Sequence, residues 1–248
     1  MKNQPTSLLL CALALAFCAP LSAGEPAAEQ KLRVLLTFGG HDFEQKPFFA
    51  MWDALPGVQY TKAPMPASAK LFQPGLEKEY DVIVMYDMVG GITPEQQKAF
   101  VELLKTGIGV VSMHHNLGAH KDWDEYRKII GGAYLFKDIE IDGKKYSPSA
   151  YAHDQDMKVT IADAEHPITK GLKDFQILDE CYSKYYTSPA VKVLLKTDHP
   201  KNDPPLAWVQ EYGKSRVFYL MLGHDHKAWQ NPSFTEILTR GIKWAAGK

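Results

Sequence analysis

Three short runs constrain this chain more than any other feature: KLRVLLTF at 31–38, DVIVMY at 81–86 and IGVVSM at 108–113. Each is apolar without alternation. An alternating strand leaves one face for water, whereas a uniform one suits burial on both faces, as at the centre of a parallel sheet. Parallel neighbours need crossover connections, usually helices. The segments between the runs supply them. Phe43–Leu55 places Phe48, Met51, Trp52 and Leu55 at helical spacing and stops at Pro56-Gly57. Thr93-Pro94-Glu95-Gln96 presents a cap, a first-turn proline and a capping-box pair, opening a helix to Lys105 that Gly107 ends. Val58–Thr61 reads as a further short strand. This rhythm predicts an α/β fold with a mainly parallel sheet and helices on both faces.

The rest of the chain is less regular. Asp122–Ile130 predicts a short helix closed by Gly131-Gly132, and residues 133–151 read as a polar, aromatic excursion, a hairpin near the cleft. Met157–Ile161, Lys192–Thr197, Leu206–Gln210 and Val217–Leu222 read as strands, with Gly213 in a turn. His166–Leu172 reads as a turn into a short helix, and Phe234–Ala246 as a closing amphipathic helix. Residues 31–248 therefore form one predicted domain.

The N-terminus reads differently. Lys2 precedes an apolar run, Leu8–Pro20, and Leu21-Ser22-Ala23-Gly24 offers small residues for cleavage. That is the pattern of a secretory signal peptide over residues 1–24, followed by a polar linker over 25–30. The run is too short to span a bilayer comfortably, and Phe17 before Cys18 is too bulky for a lipoprotein signal. The expected location is the periplasm or beyond. Cys11 and Cys18 leave with the signal, so Cys181 alone remains and no internal disulfide can form. A formal net charge of −1 gives no sign of nucleic acid or an anionic membrane as partner.

Four clusters carry the polar chemistry. Gly39-Gly40-His41-Asp42-Phe43 follows the first strand, where glycines let backbone N–H groups approach a ligand, although the G-x-G-x-x-G spacing is missing. His114-His115-Asn116 follows IGVVSM, at the strand end where such folds bind ligands. Adjacent residues of an extended segment point oppositely, so both histidines reach one ligand only if the chain turns between them. Asp179-Glu180-Cys181-Tyr182 offers carboxylates for acid–base or metal work and an aromatic wall; a lone Cys181 reads as a small apolar residue. Gly223-His224-Asp225-His226 spaces two histidines by two, a usable chelating interval. There is no G-x-S-x-G elbow and no P-loop, which argues against serine hydrolysis and phosphate-cradling nucleotide chemistry.

With these clusters in view, the chain resembles the ThuA-like family, named for trehalose utilisation. The resemblance runs over nearly all of residues 31–247. It rests on VLLTFGGHDF, GVVSMHHN, HPITKGL with FQILDECY, and PLAWVQEYGKSRVFYLMLGHDHKAWQNPSFTEILTRGIKWAAG, in the family's order. It implies a flavodoxin-like three-layer sandwich similar to class I glutamine amidotransferases. In those relatives a cysteine sits on a sharp turn after a central strand; here Met113-His114-His115 holds that turn, so thioester chemistry lacks its nucleophile. The resemblance also implies disaccharide catabolism on sugars oxidised to the 3-keto form. A keto group acidifies the neighbouring C–H, and a His or Glu base could then drive elimination, hydrolysis or isomerisation.

The expectation is an exported enzyme acting on a small carbohydrate. His114, His115, Glu180 and Asp179 are its candidate acid–base residues. Gly40, His41, Asp42, Asn116, Tyr182, Asp225 and Trp229 are candidate substrate contacts, with Tyr134 as a further ring-packing surface. His41, His115 and His224 are the candidate ligands of a divalent metal, zinc or similar; no other cofactor is expected. Two rivals stand beside this reading: a non-catalytic sugar-binding module, and a metal-dependent hydrolase of a non-sugar amide or ester.

Overall fold

The computed structural model describes residues 1–2 and 31–248. The predicted signal peptide (beyond its first two residues) and the linker lie outside the described residues. In chain order the elements are β1 (Leu32–Gly39), α1 (Gln45–Ala54), β2 (Val58–Pro64), β3 (Val82–Asp87), α2 (Pro94–Leu104), β4 (Gly109–Met113), α3 (Asp124–Ile130) and β5 (Gly132–Ala133). There follow β6 (Ile139–Ile141), β7 (Lys144–Tyr146), β8 (Ala150–Ile161), β9 (Phe175–Ser183), β10 (Tyr186–Thr187), β11 (Lys192–Lys196), β12 (Pro205–Tyr212), β13 (Ser215–Leu220), α4 (His226–Trp229) and α5 (Pro232–Ala245).

One sheet organises the domain, in the order β2-β1-β3-β4-β13-β12-β11-β8-β9. The uniformly apolar runs occupy its centre: Val34, Leu35, Leu36, Val82, Ile83, Val84, Val110 and Val111 are all fully buried. From β2 to β13 the strands run parallel, in the flavodoxin-like order. Beyond β13 the pairing is antiparallel out to the edge strand β9.

Side chains of adjacent strand residues point to opposite faces, and β3 shows what covers each. Tyr86 stacks on Phe48 of α1, with ring centroids 4.4 Å apart. Met85 instead receives the Tyr126 hydroxyl of α3. Helices α1, α4 and α5 pack together on the first side, while Phe100 of α2 meets Trp123, beside α3, on the other. The capping box forms as predicted: Gln96 N–H donates to Thr93 Oγ1, and the Gln96 side chain accepts from Thr93 N–H.

Three local expectations need correction. His166–Leu172 forms turns without a helix, because its Thr169 hydroxyl bonds the Asp163 and His166 carbonyls in place of a continuing ladder. Strand β8 begins at Ala150, seven residues before the predicted Met157. Asp179–Tyr182, read as a polar cluster, lies inside strand β9.

Candidate functional site

The carboxyl ends of β1, β3, β4 and β13 open on one edge of the sheet, where doubly wound folds bind ligands. The central feature is the turn after β4. His114 takes a left-handed backbone, φ 47°, and starts a tight turn, His114–Gly118. A non-glycine residue in that region carries strain of order 1–3 kcal/mol. The Tyr219 hydroxyl donates to His114 O at 3.0 Å and helps to hold it. This bend rotates two adjacent imidazoles toward the same end of the sheet.

Each imidazole then has its tautomer set by a backbone carbonyl. His114 Nδ1 lies 2.6 Å from Met221 O, so Nδ1 carries the proton and Nε2 presents a lone pair in the neutral ring. That Nε2 is 3.1 Å from Glu180 Oε2, 3.3 Å from His224 Nδ1 and 3.1 Å from the Tyr182 hydroxyl. His115 is the mirror case. Its Nε2 lies 3.0 Å from Tyr86 O, which leaves Nδ1 as the acceptor.

Glu180 arrives from β9 and is pinned from both sides. His153 Nδ1 sits 3.1 Å from Oε1, opposite the His114 contact at Oε2. A register shift between Ala152 and Gln155 of β8, with Asp154 at φ 56°, brings His153 there; such bulges re-aim side chains. Asp179 faces away from the open side. Fully enclosed, it accepts from Gly223 N–H at 2.7 Å, His224 N–H at 3.0 Å and Glu180 N–H at 2.8 Å. It thereby fixes the loop that carries His224.

The electrostatics follow. Burial opposes charge on Glu180, but hydrogen bonds from His114 and His224 outweigh it and hold its carboxyl well below the usual range. Burial alone would lower His224, yet Glu180 raises it. Burial, with His114 and His41 nearby, pushes His115 well down. Burial likewise raises the Tyr182 hydroxyl and the Asp179 carboxyl.

A cavity of about 260 Å³ lies over this cluster, bounded by His41, His115, His153, Glu180 and Tyr182 with Tyr134, Phe136 and Tyr151 as aromatic walls. The His41 ring stacks on His115, centroids 4.6 Å apart and planes at 20°. A second cavity of about 400 Å³ adjoins it, sharing Met88, Gly118, Tyr134 and Phe136 and extending over His120 and Trp123. Among the described residues, His114, Glu180 and His224 are the group of His, Cys, Asp or Glu donors gathered closely enough to hold a metal ion.

A family model described as trehalose utilisation matches residues 53–245. The chain belongs to the ThuA family. No curated protein sequence matches this ThuA chain. Among solved structures it is similar to a ThuA-like protein from Parabacteroides merdae (TM-score 0.72, 21% identity, covering 88% of this chain and 91% of the other). A ThuA-like protein from Bacteroides uniformis follows (0.67, 20%, covering 90% and 95%). A cytoplasmic protein from Salmonella typhimurium has TM-score 0.58 at 14% identity, covering 86% and 98%. These likenesses agree with the flavodoxin-like sandwich.

Within this ThuA fold the predicted residues separate. His114, His115, Glu180, Tyr182, His41 and His224 converge. The set His41, His115 and His224 is not the one the fold assembles around a common point. The left-handed turn sends His114 to Glu180 and His224, while His115 lies against Tyr86 and His41. Trp229 is core: 2% exposed, its Nε1–H donates to Gly223 O. Asn116 is buried beneath the turn, accepting from Ser112 and Tyr126 and donating to Asp87 O. Asp225 caps α4 through Lys227 N–H. His226 pairs with Glu44 away from the cluster. Gly40 serves backbone packing, since a Cβ there would stand 2.6 Å from Met88 O. Asp42 is exposed and contributes its carbonyl, 2.7 Å from His41 Nδ1. Sequence reasoning missed His153, Tyr151, Phe136 and Met88. The register shift between Ala152 and Gln155 interrupts the alternation carried back from Met157 and Val159, so that alternation did not mark His153.

Proposed function

We propose that this chain is an exported enzyme that removes a proton beside the keto group of an oxidised disaccharide or glycoside and so eliminates the glycosidic oxygen. One observation carries this reading. An acceptor imidazole, His115, lines a cavity walled by Tyr134, Tyr151 and Phe136, together with Glu180, the member of the His114–Glu180–His224 cluster that reaches it. Aromatic faces pack well against the apolar faces of sugar rings, and the adjoining second cavity leaves room for a second ring. The signal-like pattern of residues 1–24 supports export.

In this reading the proton on the carbon next to the ketone passes to His115 Nδ1. The electron pair becomes the new C=C bond, the C–O bond to the leaving sugar breaks, and a cavity-edge imidazole, His41 or His153, returns a proton to the leaving oxygen. The Tyr182 hydroxyl stabilises the charge that develops on the keto oxygen. The test is release of the leaving sugar from a 3-keto-disaccharide by the purified protein, beside His115→Ala. The expected result is turnover of the keto form only, lowered at least 100-fold in the variant, in line with loss of a general base. Binding without turnover, or equal rates in the variant, would overturn the proposal.

A further inference from the structure

We infer that His114 Nε2, His224 Nδ1 and Glu180 Oε2 form a three-donor site for a zinc-like divalent cation, with the fourth position open to the cavity. This holds independently of the sugar reading.

The spacing is the first argument. The three atoms form a nearly equilateral triangle with edges of 3.1, 3.3 and 3.3 Å. Bonds of about 2.0–2.1 Å to imidazole nitrogen and carboxylate oxygen, set tetrahedrally, require donor–donor edges of about 3.3–3.4 Å. An octahedral set with the same bonds would need edges of about 2.9 Å. The triangle matches one face of the tetrahedron.

Proton accounting is the second. With both rings neutral, as metal ligation requires, Met221 O takes the Nδ1 proton of His114, and its Nε2 lone pair faces Glu180 Oε2 and His224 Nδ1. The Tyr182 hydroxyl, 3.1 Å from the same nitrogen, brings a single proton to a group of several acceptors. In those protonation states the three atoms are converging acceptors, an arrangement that favours a cation among them. A divalent ion satisfies all three at once.

The surroundings supply the outer shell that metal sites use. A backbone carbonyl orients His114, Asp179 holds the backbone of His224, and His153 braces the second oxygen of Glu180. Side-chain exposure rises from 0% at His114 through 6% at Glu180 to 24% at His224, so the cluster is closed behind and open in front. Three protein donors and one open position describe a reactive rather than a purely structural zinc site. Two nitrogens and one oxygen favour zinc, cobalt or nickel over magnesium or calcium.

The experiment uses the full chain, stripped with a chelator and titrated with zinc chloride. Bound metal is measured by elemental analysis, and the visible spectrum of the cobalt-substituted protein reports geometry. The expected result is one zinc per chain, a raised Tm on loading, and intense tetrahedral cobalt bands. His224→Ala and Glu180→Gln, each checked for a native circular dichroism spectrum, should weaken binding at least tenfold. His226→Ala, an imidazole outside the cluster, should keep full occupancy. Zinc binding equal in wild type and both cluster variants would overturn the assignment, as would wild-type protein that takes up no zinc. Equal loss in His226→Ala would do the same, by showing adventitious surface chelation.

Discussion

Asp87 ends β3 beneath the His114–Gly118 turn, where Asn116 Nδ2 donates to its backbone carbonyl. Its carboxyl is fully buried: the Thr37 hydroxyl donates to Oδ1, and Oδ2 has no hydrogen-bond partner among the described residues. Burial, the dominant influence, pushes this carboxyl up from 3.8 to about 6. The folded state therefore holds the proton more tightly than the unfolded chain. The associated stability is present in full below the unfolded pKa and is lost as pH rises through the folded one. At about 1.36 kcal/mol per unit, ionising Asp87 costs the fold about 3 kcal/mol by pH 8. Asp87→Asn keeps the shape and removes the charge. It should be more stable than wild type by roughly 2–3 kcal/mol at pH 8, or roughly 4–12 °C in Tm for a chain of this size. Near pH 4 the gain should shrink below about 1 kcal/mol. Urea unfolding of both proteins at the two pH values, with unchanged m, gives the comparison. A gain that does not change with pH, or a variant less stable at pH 8, would show that Asp87 is ionised and well compensated, and the reasoning would fail.

Further outcomes follow from the same geometry. Asp179→Asn places an amide against the N–H groups of Gly223, His224 and Glu180; urea titration should show a loss of roughly 2–4 kcal/mol. Gly90→Phe should raise the KM for a 3-keto-disaccharide about tenfold while sparing a methyl 3-keto-glycoside, because Gly90 lines the second cavity and its Cβ would enter open space. Steady-state kinetics on the two substrates decide it. Glu44→Ala removes an exposed partner of His226; its unfolding free energy should fall by less than about 1 kcal/mol.

Much of this was legible in the residues, for identifiable reasons. Runs buried on both faces announce themselves without reference to neighbours, so β1, β3 and β4 fell within a residue or two of their observed limits. The Thr93 cap is likewise a local interaction. The site was legible only as to place. Which of two adjacent histidines meets Glu180 depends on one dihedral, the left-handed φ of His114, a conformation uncommon for any non-glycine residue. Glu180 lies on the edge strand β9 and His153 on the first half of its neighbour β8, where the sequence is mixed and polar and reads as loop. His153 needs a bulge to reach the cluster, and a bulge breaks the alternation that would have marked it. Trp229 shows the converse error: beside a histidine-rich loop it suggests a sugar platform, yet it packs against Phe48 and serves the core.

The central claim is that this cleft takes a proton from the carbon beside a sugar ketone. The most direct measurement uses a 3-keto-disaccharide deuterated at that carbon, with the label followed by NMR. The account predicts that wild-type protein releases deuterium into water as the leaving sugar appears, and that His115→Ala releases neither. Sugar release with the deuterium retained in the product would contradict it.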